Sequence, residues 1–223
     1  ILDYDKDGDM DFAIGRSNTV TVWSNDNGSW NNYAYSASGL LLTMETYDIN
    51  GDGLDDLLAC STGGFQVLLN GGGTSPPTFT ITSLNVTGGS ISGDTRHIAV
   101  GDLDNDGDDD FYVATLSTNY ILVNDGYPNY TKVSLNLSTN SRRVAVADFD
   151  DDNVLDLVTL RRTNNNTTSG LPAIISYGKG GALSAGSANY EDIELPLADE
   201  ARSLAVYDFN GDNREDIVIV EDE

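Results

Sequence analysis

Five copies of one nine-residue acidic loop, each running straight into a short apolar strand, constrain this chain more than any other feature. The fullest copy, DLDNDGDDDFYV from Asp102 to Val113, places carboxylates at Asp102, Asp104, Asp106 and Asp110, a glycine at Gly107, and then an apolar run. Related stretches begin at Asp3 (DYDKDGDMDFAIG), Asp48 (DINGDGLDDLLAC), Asp148 (DFDDDNVLDLVTL) and Asp208 (DFNGDNREDIVIV). The successive starts are separated by 45, 54, 46 and 60 residues. Self-similarity at such a spacing is a structural period: each repeat is one supersecondary unit that buries its apolar faces against its neighbours.

The text between the loops is also repetitive. The third unit reads RHIAVGD, the acidic loop, DFYVATL, NYILVND and YTKVSLN; the second and fourth follow suit with LLTMETYD, DDLLACS, FQVLLNG and TFTITSL, and with RRVAVADFD, LDLVTLR, AIISYGK and NYEDIEL. Each apolar piece is short, β-branched or aromatic, and bounded by Gly, Asn, Asp or Ser, as strands are. No useful length shows helical spacing. The expectation is therefore an all-β chain of four-stranded antiparallel units, the signature of propeller blades. Counting strands predicts three in the first unit, four in each of the next three and two in the last. About four to five blades lie within residues 1–223, read as a single β-propeller domain or a fragment of one. The chain starts at Ile1 without Met, as a mature segment or a fragment does.

Chemistry enters through the loops. Ca²⁺ takes six to eight oxygen ligands at about 2.3–2.6 Å, and acidic residues at alternate loop positions can wrap around one point. Four carboxylates in nine residues repel one another, a cost that a divalent cation removes. The bland alternative for any one loop is a solvated turn between strands, but five copies at the same spacing favour metal. An EF-hand reading fails, because its loop ends in a bidentate Glu at position 12 and lies between helices. Here position 12 is Ile14, Ala59, Val113, Thr159 or Ile219, each in a strand-like run.

At these motifs the chain resembles the FG-GAP and VCBS repeat family, calcium-bearing β-propellers, commonly seven-bladed, of adhesion receptors and microbial secreted proteins. FQVLLNGGGTSPPTF and NYILVNDGYPNY are similar to the stretch that follows each loop in that family: a strand, an Asn, a glycine turn and an aromatic residue. The resemblance implies side-chain ligands at loop positions 1, 3, 5 and 9 and a backbone carbonyl at position 7. In the first loop these are Asp3, Asp5, Asp7 and Asp11 with the carbonyl of Asp9; in the second, Asp48, Asn50, Asp52 and Asp56 with Leu54; in the third, Asp102, Asp104, Asp106 and Asp110 with Asp108. The fourth would use Asp148, Asp150, Asp152, Asp156 and Val154, and the fifth Asp208, Asn210, Asp212, Asp216 and Arg214. Up to five Ca²⁺ ions follow, one per loop, in an extracellular or cell-surface protein. Loops four and five carry Asn153 and Asn213 where the family prefers glycine, and Asn tolerates the left-handed backbone required there.

Composition narrows the partner. Eleven Lys and Arg against 36 Asp and Glu give a formal charge of -25, which disfavours nucleic acid and anionic membranes. Apolar residues make up 39% of the chain and argue against disorder, and no run reaches the roughly 20 residues of a membrane helix. No basic-then-apolar leader opens the sequence. Cys60 stands alone among apolar neighbours, as a buried thiol does, and excludes an internal disulfide. Sequons begin at Asn27, Asn85, Asn129, Asn136, Asn165 and Asn166 and permit N-glycosylation of a secreted chain.

Catalytic signals are few. His97 is the single histidine and sits on an expected inner strand, where packing or hydrogen bonding is its role; no nucleophile elbow, phosphate loop or zinc cluster is present. Trp23, Trp30, Tyr33 and Tyr35, or Tyr127 and Tyr130, offer aromatic faces for sugar stacking or for packing between blades. Three readings follow. The first is an interaction or adhesion module with a protein or glycan ligand on a propeller face. The second is the scaffold or catalytic part of a carbohydrate-active enzyme or a lectin, and the third an extracellular assembly completed by strand exchange at the incomplete terminal units.

Overall fold

The computed structural model describes residues 1–73, 78–162, 173–183, 189–197 and 201–221, with the side chains of 136–139 set aside. All regular structure among them is antiparallel β, and no helix is long and apolar enough to cross a membrane. The chain divides into two compact units, Ile1–Asn85 with Ile91–Thr95, and Val86–Ser90 with Arg96–Glu223.

The first unit holds two sheets. One is the meander β1 (Phe12–Arg16), β2 (Thr19–Asp26) and β3 (Ser29–Ser36). The other is β4 (Leu41–Tyr47), β5 (Asp56–Ser61), β6 (Gly64–Asn70) and β7 (Phe79–Thr82), again in sequence order. Because successive side chains point to opposite faces, Val20 and Val22 of β2 form one row, and they meet Leu57, Ala59, Leu68 and Phe79 from the second sheet. Tyr4, ahead of the first strand, is fully buried in the same core and donates from its hydroxyl to Ser24 Oγ at 3.2 Å.

In the second unit the order is β9 (Thr95–Gly101), β10 (Asp110–Thr115), β11 (Thr118–Asn124) and β12 (Asn129–Thr139), with β8 (Asn85–Thr87) added outside β12. A four-stranded sheet follows, β13 (Ser141–Ala147), β14 (Asp156–Arg161), β15 (Ala173–Gly178) and β16 (Tyr190–Leu195), and then the pair β17 (Ala201–Tyr207) and β18 (Asp216–Glu221). Tyr112, Ala114 and Ile121 pack with Val144 and Leu157, while Leu160 and Ala173 pack with Ala201, Leu204 and Ile219. The strand after each of the three central loops is buried on both faces, which is why DLLACS, DFYVAT and DLVTLR read as continuous rather than alternating apolar runs.

Among the described residues the expected strand count of three, four, four, four and two holds, with β8 added. Three residues long and without an apolar run, it carries no period for a sequence to show. It is held by pairing and by the Thr87–Thr131 hydroxyl contact at 3.0 Å. The leading strands share a further device: register shifts between Leu41 and Thr43, Ser141 and Arg143, and Ala201 and Ser203 place a bulge at the same point of three repeats.

Candidate metal centre

Each acidic loop joins the leading strand of its repeat, where one is present, to the strand that follows, and each is folded by its own carboxylates. The first Asp accepts backbone N–H bonds from position 6: Gly8 to Asp3 at 3.2 Å, Gly53 to Asp48 at 2.7 Å, Gly107 to Asp102 at 3.0 Å, and Asn153 to Asp148 and Asn213 to Asp208, both at 2.8 Å. The carboxylate at position 5 accepts the N–H of position 7 in all five, as from Asp9 to Asp7 at 2.8 Å and from Asp108 to Asp106 at 3.0 Å. Such bonds close Asx-type turns. They wind the backbone so tightly that positions 4 and 6 both adopt positive φ.

At position 6, Asn153 and Asn213 take φ of 64° and 67°, so asparagine serves where the other loops use glycine. The demand at position 4, met by Lys6, Gly51, Asn105, Asp151 and Gly211, is the part that reading the sequence missed. Its signal was the predominance of Gly, Asn and Asp there.

Position 9 does something different. Oδ2 of Asp11, Asp56, Asp110, Asp156 and Asp216 accepts the N–H of position 2, from Tyr4, Ile49, Leu103, Phe149 and Phe209. In the first four loops Oδ1 reaches to the next strand and accepts the N–H of Asn25, Asn70, Asn124 or Gly178 at 2.7–2.8 Å. One carboxylate thus ties loop and neighbouring strand together. Asn70 and Asn124 complete the joint, donating from Nδ2 to the carbonyls of Asp55 and Asp109 and accepting from Gly72 and Gly126 of the following turn. The recurrent Asn before the glycine turn is therefore a turn cap.

In three loops, three of the four expected side-chain ligands, those at positions 1, 3 and 9, come together. Carboxylate oxygens of Asp3, Asp5 and Asp11, of Asp102, Asp104 and Asp110, and of Asp148, Asp150 and Asp156 lie within 4.8 Å of one another in their respective loops. Asp7, Asp106 and Asp152 stand outside these triads, each with an oxygen engaged by the N–H of position 7. In the second loop Asn50 turns to its neighbour, bonding Asp52 through both ends of its amide at 3.0 Å. Asn210 of the fifth likewise accepts the N–H of Asp212 at 2.8 Å. Neither loop assembles a carboxylate triad among the described residues.

The electrostatics suit a cation. Burial, opposed by the two backbone bonds, lifts the carboxyl of Asp56 to about 6 and that of Asp110 to about 7, with neighbouring loop carboxylates adding to the rise. Asp11 and Asp156 move the same way for the same reason, and Asp104 is raised by burial and then by Asp106 and Asp102. In the open fifth loop, backbone N–H bonds led by that of Asn213 instead lower Asp208. Oδ1 of Asp3, Asp5 and Asp104 is buried and accepts no hydrogen bond. Buried anionic oxygens without a partner are costly, and an oxygen-only set of this kind fits a hard divalent cation. The residues present therefore fit calcium in the first and third loops, and the fourth presents the same triad.

Outside the loops, His97 lies in β9 with its imidazole pushed down to about 4 by burial and then by Arg143, which matches a packing role. Cys60 is fully buried. Tyr130, offered above as a sugar platform, is 1% exposed and stacks on Phe111 at 5.5 Å, so it has no face for a ligand; strand pairing turned it inward. Tyr35 packs edge-on against Phe79, and Trp23 and Trp30 both lie against Phe12. Of the sequons, Asn27, Asn85 and Asn129 are exposed, while the Asn136 side chain and Asn165 and Asn166 lie outside the described residues.

No curated protein sequence matches the chain. Among solved structures it is similar to a lectin of Agrocybe aegerita described for specific recognition of non-reducing terminal N-acetylglucosamine, with TM-score 0.54 and 19% identity over 87% of this chain. The chain spans 50% of the length of that lectin chain. It is also similar to BBS1N, solved in complex with ARL6DN and soaked with lead, at TM-score 0.50 and 12% identity, covering 98% of this chain and 74% of that one. At these identities the likeness is one of fold. The FG-GAP-like repeat model matches residues 48–113 and 102–159, spans that contain the second, third and fourth acidic loops and together cover half of the chain. The chain belongs to the FG-GAP-like repeat family.

Proposed function

We propose that the chain is a calcium-binding β-propeller module, whole or part of a ring across residues 1–223, that works outside the cell by binding a protein or glycan ligand. The observation that carries this reading is the pair of carboxylate triads holding buried oxygens without hydrogen-bond partners at Asp3, Asp5 and Asp104. The ligands are the side chains at positions 1, 3, 5 and 9 with the carbonyl of position 7, up to five ions in all. Bound calcium would neutralise the loop carboxylates and hold each loop in the conformation its turns already favour. Binding free energy then becomes folding free energy, about 2.7 kcal/mol per site when free calcium is a hundredfold above Kd.

The sites are structural in this reading and recognition lies on the loops around them, which vary freely on one scaffold. Family membership and the exposed sequons support an extracellular setting. Likeness of fold to a lectin supports a glycan among the candidate ligands and does not select it over protein. Calorimetric titration of calcium into chelator-treated protein tests the metal, and the melting temperature in calcium and in chelator tests its role. A melting curve that chelator leaves unmoved would overturn the structural assignment. A glycan array and a surface-protein array, both in calcium, separate the two ligand classes.

A further inference from the structure

Within each compact unit, the side chain at position 4 of one acidic loop reaches positions 6 and 7 of the next. In the second unit Asn105 of the third loop donates from Nδ2 to the carbonyl of Asn153, position 6 of the fourth, at 3.4 Å. Asp151 of the fourth loop pairs with Arg214, position 7 of the fifth, with Oδ2 and Nη2 2.7 Å apart. In the first unit a Cβ added to Gly53, position 6 of the second loop, would lie 3.9 Å from Lys6 Nζ of the first. The three contacts share one direction along the chain.

The third and fourth loops are joined a second time. Leu155, the residue before Asp156, packs over Gly101, the residue before Asp102: a Cβ added to Gly101 would lie 2.6 Å from Leu155 Cδ1 and 3.1 Å from Val146 Cγ2. Asn153 stands where the two loops meet. Its N–H donates to Asp148 at 2.8 Å, its carbonyl accepts from Asn105, and its φ is 64°. Asn105 in turn lies between Asp104 and Asp106, two expected ligands of the third loop. Fixing those two carboxylates fixes Asn105, and with it the turn that presents Asp148 and leads into Val154.

We propose, on the calcium reading of these loops, that the third and fourth sites are positively coupled, with Asn105 as the strut through which an ion in one loop raises the affinity of the other. Two dications in neighbouring loops repel each other, so direct electrostatics alone would make the coupling negative. A positive sign is therefore the mark of the strut. One long hydrogen bond contributes little net free energy, which sets the coupling at about two- to threefold. By linkage the factor is the same in both directions. The Asp151–Arg214 pair, exposed and open to screening by salt, joins the fourth and fifth loops more weakly.

Calcium titration of the chelator-treated chain, followed by amide NMR, reads the two sites separately through the N–H signals of Gly107 and Asn153. Asp104→Asn removes one carboxylate of the third triad and should raise the calcium midpoint at Asn153 about two- to threefold. Asn105→Gly should raise it likewise, and the backbone accommodates this change, because position 4 is already glycine in the second and fifth loops. Asp104→Asn made on top of Asn105→Gly should move the Asn153 midpoint less than it does in the parent. A midpoint at Asn153 that either variant leaves unmoved or lowers, or full additivity of the two, would overturn the coupling while leaving both calcium sites in place. Amides of both loops that calcium never shifts would overturn the calcium reading, and the coupling with it.

Discussion

Oδ1 of Asp110 accepts the backbone N–H of Asn124 at 2.8 Å while Oδ2 accepts that of Leu103 at 3.0 Å, so one buried carboxylate joins β11 to the mouth of the third loop. The same clip recurs in the first, second and fourth loops. Asp110→Asn would replace one acceptor oxygen by a donor amide and turn it on a backbone N–H. Leaving one such buried group unsatisfied costs about 1–3 kcal/mol. At roughly 2–4 °C per kcal/mol for a chain of this size, thermal unfolding in chelator should show a Tm lower by several degrees. Calorimetry in calcium should show one site fewer.

The raised carboxyls set the pH response of the metal-free protein. With folded values of about 6 for Asp56 and about 7 for Asp110, above the ordinary 3.8, the folded state holds protons more tightly than the unfolded chain. Their contribution is complete below the ordinary value and is lost as pH rises through 6 and 7. In chelator, Tm should therefore fall between pH 5 and 8 on account of these two groups. Calcium competes with the same protons, so its apparent affinity should rise over that interval, as titrations at several pH values would show.

Asn153 sits at φ 64°, in the left-handed region. Asn153→Gly should be neutral or mildly stabilising, whereas Asn153→Val should lower stability by about 1–3 kcal/mol because its branched Cβ clashes there. Urea unfolding of the two variants measures the difference. Similar losses for both would place the role of Asn153 in its side chain.

Tyr112 is fully buried between two sheets of the second unit, with its hydroxyl 2.6 Å from Thr159 Oγ1 and 3.0 Å from Asn119 Nδ2. Tyr112→Phe keeps the ring and strands both partners. A loss of about 1–3 kcal/mol is expected. Denaturant midpoints report it, and Tyr112→Phe with Thr159→Val should cost less than the two changes summed.

The repeat, its strands and its acidic loops were legible because they rest on local rules. Period-2 and continuous apolar runs specify strands, and Asp, Asn and Gly at fixed spacing specify tight turns wherever they occur. Asn153 and Asn213 were readable as left-handed residues for the same reason. A three-residue strand such as β8 has no pattern to read, since pairing alone creates it.

By itself the sequence determined the all-β class, the positions of five oxygen-rich loops and the identity of the carboxylates able to enter them. Only the tertiary structure decided which carboxylates gather and which act as clips. It likewise turned Tyr130 inward and left Trp30 and Val218 facing out. Whether an oxygen meets another oxygen, a backbone N–H or water, and whether a strand face is covered, depends on neighbours far away in the chain, and local pattern carries no record of them.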